Sequence, residues 1–177
     1  KSIKNKRIIS FLEVGSGHGL MTKTLTNNRF VKEGYVCDIS MQSLNLTKKV
    51  VDIYRPGNKV KYLNKDFFEL KISKKFDFIV LGEVMEHVKN PKKFLNTAKK
   101  LLTRNGKIFI STCANCAQSD HLFHFKNILQ IKKLISQCKL IISKELISPS
   151  EDIPKKLWKK EQIAINYCAI LKLNEKN

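Results

Sequence analysis

The stretch Ile8-Ile9-Ser10-Phe11-Leu12-Glu13-Val14 runs straight into Gly15-Ser16-Gly17-His18-Gly19, and no other feature limits the fold as tightly. A short apolar run of this kind reads as a buried strand. Alternating glycines follow it, and Leu20, Met21, Thr24 and Leu25 continue at helical spacing. Glycine is needed where a backbone turns sharply or where a ligand must lie against the main chain. A strand that feeds a helix through such a turn aims free backbone N–H groups at one point, which suits a nucleotide-like ligand.

The spacing narrows the ligand. A dinucleotide fingerprint reads Gly-x-Gly-x-x-Gly and wants glycine or alanine at position 20. Here Leu20 stands there and Gly19 comes one place earlier. The pattern Glu13-x-Gly15-x-Gly17-x-Gly19 suits a ligand without a pyrophosphate. It resembles the first motif of the class I S-adenosylmethionine-dependent methyltransferases. That resemblance implies S-adenosyl-L-methionine as cofactor, with Glu13, Gly15, Ser16, Gly17 and Gly19 around its amino-acid and ribose parts. The plain alternative is a glycine-rich turn that binds nothing.

The rest of the chain alternates the two patterns. The first helix should run to about Asn27-Asn28. Tyr35-Val36-Cys37 is a short second strand ending at Asp38. Ser40 then caps a helix with Met41, Leu44, Lys48, Val51 and Tyr54 at helical spacing, and Pro56-Gly57 stops it. Residues 60–66 read as a third strand. Residues 76–82 form a continuous apolar run of the kind buried on both faces. Asn90 at the cap and Pro91 at the first helical position announce a third helix. Its apolar stripe is Phe94, Leu95, Ala98, Leu101 and Leu102, and its solvated face is Lys92, Lys93, Asn96, Lys99 and Lys100. Gly106 precedes a fifth strand, 107–113. Asn127 caps a helix with Ile128, Ile131, Leu134 and Ile135 facing in. Leu140-Ile141-Ile142 is the sixth strand, 148–163 a polar stretch holding Trp158, and 164–173 the last strand.

Strands alternating with helices predict an α/β fold, a parallel sheet with helices on both faces. Ligands in such sheets bind beyond the carboxyl ends of the strands. The resemblance sharpens this to a Rossmann-like, doubly wound, mostly parallel seven-stranded sheet with an antiparallel last strand. Residues 1–177 read as a single S-adenosylmethionine-binding domain. The sequence opens on Lys1, and a capping segment of the kind usual in the family is expected before it. Residues 15–19, Asp38, Asp66, Gly82, Glu83 and 114–124 all follow strand ends, so they are expected along one edge.

Asp38 stands about 20 positions after the loop, where an acid accepts from two ribose hydroxyls. A carboxylate takes both donors at once, and Ile39 lies beside it. The competing role for Asp38 is a helix N-terminal acid. Asp66-Phe67-Phe68 matches the family's third motif. By resemblance, the Asp66 carboxylate accepts from the adenine amino group and the Phe67 N–H donates to the ring. Gly82 and Glu83 complete the expected cofactor contacts.

Glu83-x-x-Glu86-His87 is the most suggestive group on the acceptor side. On a helical turn these positions share one face, and two carboxylates with an imidazole suit a divalent cation. The group resembles turns in ubiquinone-pathway O-methyltransferases and in methyltransferases that modify the 3′ ends of small RNAs. In both, the turn binds a metal that engages acceptor hydroxyls, here Mg²⁺ held by Glu83, Glu86 and His87. In the metal-free members of the wider family a similar turn only shapes the pocket. The loop 114–125 carries Asp120, His121 and His124, and either histidine is a candidate general base; Glu86 is the third candidate catalytic group. Cys113-x-x-Cys116 with His121-x-x-His124 also reads as a zinc half-site, though the second pair is too close for finger spacing.

Charge bears on the partner. Formal net charge is +19 from 34 basic and 15 acidic side chains, which raises nucleic acid as a partner. Arg7, Arg29, Arg55 and Arg104 are the only arginines, however, and phosphate and base readers favour arginine. Lysine spread over the whole length reads as solvated faces. A small-molecule acceptor is therefore the first reading, and RNA methylation or a degenerate cofactor-binding module the alternatives. No apolar run approaches ~18 residues, so no membrane span is expected. Five cysteines, three of them in apolar runs, suit a reducing cytoplasm better than a disulfide framework. Oligomeric state is not legible.

Overall fold

Short apolar runs separated by capped helical stretches give seven strands and four helices among the described residues. The computed structural model describes residues 9–152, 154–158 and 163–174. Ile8 and part of the 148–163 stretch lie outside them. The elements are β1 (Ser10–Val14), α1 (Leu20–Thr26), β2 (Glu33–Asp38), α2 (Met41–Tyr54), β3 (Val60–Asn64) and β4 (Phe76–Gly82). Then come α3 (Pro91–Lys100), β5 (Leu102–Ala114), α4 (Ile128–Gln137), β6 (Leu140–Pro149) and β7 (Ile165–Leu173). The strand order is β3-β2-β1-β4-β5-β7-β6. β1, β2 and β3 pair in parallel. β7 runs antiparallel to both β5 and β6. The expected fold class, with its antiparallel last strand, is the one observed.

Two units carry these elements. The first comprises residues up to Val80 together with Lys100–Gly106; the second comprises Leu81–Lys99 and residues from Lys107 on.

In the first unit, β1 is buried along its whole length, with Phe11 and Leu12 fully enclosed. β2 is threaded close against it: a Cβ on Gly34 would fall 2.2 Å from the Phe11 ring, so only glycine fits there. The Asp77 carboxylate accepts from the Ser10 N–H at 3.0 Å, the Ser10 hydroxyl at 3.2 Å and the Thr103 hydroxyl at 3.3 Å, knitting three chain segments. Ser40 caps α2 as expected, its hydroxyl accepting from Ser43 N–H. β3 ends at Asn64 rather than at residue 66, because Lys65 N–H turns back to the Asp38 and Leu63 carbonyls and Asp66 caps a 3-10 turn over Phe67–Glu69. β5 begins five residues earlier than expected. Gly106 lies inside it, where a Cβ would meet Leu102 at 2.8 Å and the Phe76 carbonyl at 2.9 Å.

In the second unit, Asn90 and Asn127 cap α3 and α4 through bonds to the N–H groups of Lys93 and Gln130. Phe94, Leu95 and Ala98 of α3 are buried, as are Ile131, Leu134 and Ile135 of α4. Lys99, expected on a solvated face, instead donates to the Cys138 carbonyl at 2.6 Å, neutralising the carbonyl end of α4. β6 continues well past Ile142, with a register shift before Lys144, and pairs with β7 out to Pro149. Its outer half is largely exposed, with Lys144 and Glu145 on an edge strand, and that exposure hid it from hydropathy. No helix among the described residues is long and apolar enough to cross a membrane.

Candidate active site

The glycine loop of the first unit is built from backbone conformations that strongly favour glycine. Gly15, Gly17 and Gly19 have φ of 75°, 49° and 76°, the left-handed region. Gly19 is also pressed against α2, where a Cβ would lie 2.8 Å from the Thr47 Cα. At Gly17 a Cβ would meet nothing within 4 Å, so the crest of the loop faces open space. Gly15 N–H donates to the Cys37 carbonyl at 3.0 Å, and Gly19 N–H to the Ser16 carbonyl at 2.9 Å. The N–H groups of Gly17 and His18 have no acceptor among the described residues. They are the free donors that the sequence pattern predicts.

Asp38, at the end of β2, closes the cradle. Its carboxylate accepts from Ser16 N–H at 2.7 Å, Ser16 Oγ at 3.1 Å and Ser40 N–H at 2.8 Å. It thus supports the start of α2 through Ser40 and ties down the loop through Ser16. Ile39 beside it is 77% exposed. Asp66 Oδ1 accepts from Phe68 N–H at 2.8 Å, while Phe67 is buried.

Glu13 lies beneath the loop. It is 2% exposed and accepts from the Thr22 hydroxyl in α1. Burial pushes its carboxyl up to about 7, with the Thr22 bond opposing and the charge of Asp38 adding to the rise. Glu13 thus reaches the loop from below, through α1. Thr22 carried no sequence signal, since its partner is set by packing rather than by spacing.

In the second unit, Glu83 has φ 46°, a left-handed conformation costly for a side chain of its size. Its N–H donates to the Ser111 carbonyl at 2.9 Å. The turn 83–88 is not helical, which corrects the expectation that Glu83, Glu86 and His87 share a helix face. Burial raises the Glu83 carboxyl, and Glu86 adds to the rise. Glu86 is buried and accepts from Thr112 Oγ1 at 2.8 Å. Sequence reasoning missed this partner; a hydroxyl within the apolar run of β5 is the one signal that could have pointed to it. His87 Nδ1 lies 3.1 Å from the Asp120 carbonyl and 3.6 Å from its carboxylate. His121 Nδ1 lies 2.8 Å from the Cys116 carbonyl. The two rings meet edge to face at 5.1 Å.

Ligating atoms of Glu86, His87 and His121 lie within 4.8 Å of one another, and so do those of Cys113, Cys116 and His121. Glu83 belongs to neither group. His124 is exposed, with no side-chain partner among the described residues. Burial, then the neighbouring Cys116, pushes the Cys113 thiol up to about 12.

Fold and loop together define an S-adenosylmethionine-dependent methyltransferase. The chain belongs to the methyltransferase domain family, whose profile matches residues 2–142. It is 26% identical over 185 residues to the ubiquinone biosynthesis O-methyltransferase of Rickettsia canadensis, covering 94% of this chain and 77% of that one. It is 30% identical over 117 residues to the enzyme of the same name from Pelagibacter ubique, covering 63% of this chain and 44% of that one. Among solved structures, the N-methyltransferase NodS of Bradyrhizobium japonicum, in complex with S-adenosyl-L-homocysteine, shares the fold. The TM-score is 0.73 at 13% identity, over 96% of this chain and 81% of that one.

Proposed function

We propose that the chain methylates a hydroxyl of a small-molecule acceptor, using S-adenosyl-L-methionine held in the cradle of the first unit. When bound, the cofactor supplies a methyl group on a sulfonium, open to in-line displacement. The observation that carries this reading is the loop with three left-handed glycines facing Asp38. The free N–H groups of Gly17 and His18 suit the cofactor's carboxylate, Asp38 its ribose, and Ile39 with Asp66 and Phe67 its adenine. Glu13 acts as a positioning residue through Thr22. Gly82 and Glu83 are kept as cofactor contacts by resemblance alone. A hydroxyl acceptor is favoured because both relatives are named O-methyltransferases.

A hydroxyl must shed its proton as the methyl arrives. In the second unit, the group best prepared to take such a proton is Nε2 of His87. The Asp120 carbonyl can only accept, so Nδ1 carries the hydrogen and Nε2 keeps its lone pair. The nearby Asp120 carboxylate steadies the imidazolium that forms. We prefer His87 to His121 and His124 because, among the described residues, it alone of the three has a carboxylate within 4 Å; Glu86 shapes the turn through Thr112. The donors brought together do not fit Mg²⁺, which prefers about six oxygens, because only one carboxylate of the turn joins the group. Five free thiols favour a reducing compartment, in keeping with the cytoplasm.

Titration calorimetry with S-adenosyl-L-methionine tests the reading: Asp38→Ala should weaken binding at least about tenfold, roughly 1.4 kcal/mol. An unchanged affinity would refute the ribose assignment. RNA as acceptor is favoured only by the +19 net charge. Methyl transfer to RNA at physiological salt, with none to small hydroxylated compounds, would replace the small-molecule reading.

A further inference from the structure

The second unit holds a group of side chains that methyl transfer does not use. Cys113 closes β5, Asn115 turns the chain with φ 54°, and Cys116 follows. Asparagine is among the few side chains that tolerate this left-handed conformation. Asn115 is anchored on both sides, its N–H on the Phe125 carbonyl at 2.7 Å and its amide on the Ile163 carbonyl at 3.1 Å. The turn brings both sulfurs and one ring nitrogen of His121 within 4.8 Å of one another.

The surroundings are those of a ligand set. His121 Nδ1 can only donate to the Cys116 carbonyl, which fixes the tautomer and leaves the lone pair on Nε2. A backbone carbonyl holding the non-ligating nitrogen is the usual second partner of a metal-bound histidine. The Gln118 amide donates to Cys116 Sγ at 3.4 Å, a bond that stabilises a thiolate. Cys113 is buried while Cys116 and His121 are half-buried, so the group is reachable from solvent on one side.

The geometry points to a zinc site made by Cys113, Cys116 and His121. Two sulfurs and an imidazole select a borderline-soft ion over Mg²⁺ or Ca²⁺. Three protein ligands leave a fourth tetrahedral position for water or an anionic group, the arrangement of an open site rather than a closed structural one. Binding releases the two thiol protons to solvent as the sulfur–metal bonds form. The site stands independently of the methyl-transfer reading, because no cofactor contact is shared with it.

Zinc and cobalt(II) titrations of the whole chain, reduced and freed of metal by chelator, test this. One ion per chain should bind, and cobalt should show sulfur-to-metal charge transfer with the intense visible bands of a tetrahedral site. Cys116→Ser and His121→Gln should each weaken binding by more than the roughly 10–100-fold that loss of an outer partner costs. Cys168→Ser should bind zinc as the parent does, and cofactor affinity should be the same in all variants. Undiminished zinc binding by Cys116→Ser would overturn the site. So would a cobalt spectrum without thiolate bands, or binding lost in His87→Ala but kept in Cys116→Ser.

Discussion

Replacing Glu13 by glutamine should stabilise the protein at alkaline pH and leave it nearly unchanged in acid. The wild-type carboxyl is 2% exposed, and its folded value lies near 7 against an ordinary 4.5, with burial as the main cause. A raised folded pKa means that the folded state holds the proton more tightly than the unfolded one. This stabilisation is complete below about pH 4.5 and is lost as pH climbs through 7. Each pKa unit is worth about 1.4 kcal/mol, so the wild type should lose about 3 kcal/mol across that window. Glutamine carries no charge to bury, and its carbonyl still accepts from Thr22, at a net hydrogen-bond value of about 1 kcal/mol or slightly less. Burying the glutamine NH2 costs about 1 kcal/mol at either pH, so the expected gain at pH 8 is about 2 kcal/mol, or roughly 4–8 °C in Tm for a chain of this size. At pH 4.5 the two proteins should melt within about 1 kcal/mol of each other. Thermal melts of both at the two pH values measure the difference, and groups common to both cancel. Equal shifts at pH 4.5 and pH 8, or a larger loss at pH 8, would show that the carboxylate is ionised and well solvated in the fold.

Two further substitutions probe the cradle. A carboxylate offers about four lone-pair sites, and three on Asp38 are taken by Ser16 and Ser40, so a ribose diol has room only if the Ser16 hydroxyl turns away. Ser16→Ala should accordingly bind S-adenosyl-L-methionine within about threefold of the wild type, under 1 kcal/mol, by calorimetry; a loss above tenfold would place the hydroxyl on the cofactor itself. Gly19→Ala combines a left-handed φ with a backbone approach of 2.8 Å, and should cost at least about 1–2 kcal/mol in a denaturant melt. A neutral result would mean that α1 and α2 separate more readily than their packing implies.

The glycine loop of the first unit and the turn of the second differ in how far they were legible, and the difference has a physical origin. Where a backbone angle dictates the residue, sequence reports structure directly: Gly15, Gly17 and Gly19 are glycines because their φ values are positive. The caps at Ser40, Asn90 and Asn127 were legible for a related reason, since each bond closes within three residues. Spacing arguments fail when they assume a backbone that does not form. Glu83, Glu86 and His87 were placed on one helical face, yet Glu83 sits at φ 46° and the turn is irregular. What arranges them comes from far along the chain, Thr112 from 26 positions away and Asp120 from 33. The outer part of β6 was missed for the opposite reason: it buries too little for alternation to register, and only its pairing with β7 makes it a strand. A cofactor common to a family is held by local backbone geometry that many sequences must share. The turn 83–88 is instead arranged by long-range contacts, Glu86 to Thr112 and His87 to Asp120, so its chemistry follows from which side chains meet rather than from their spacing in the sequence.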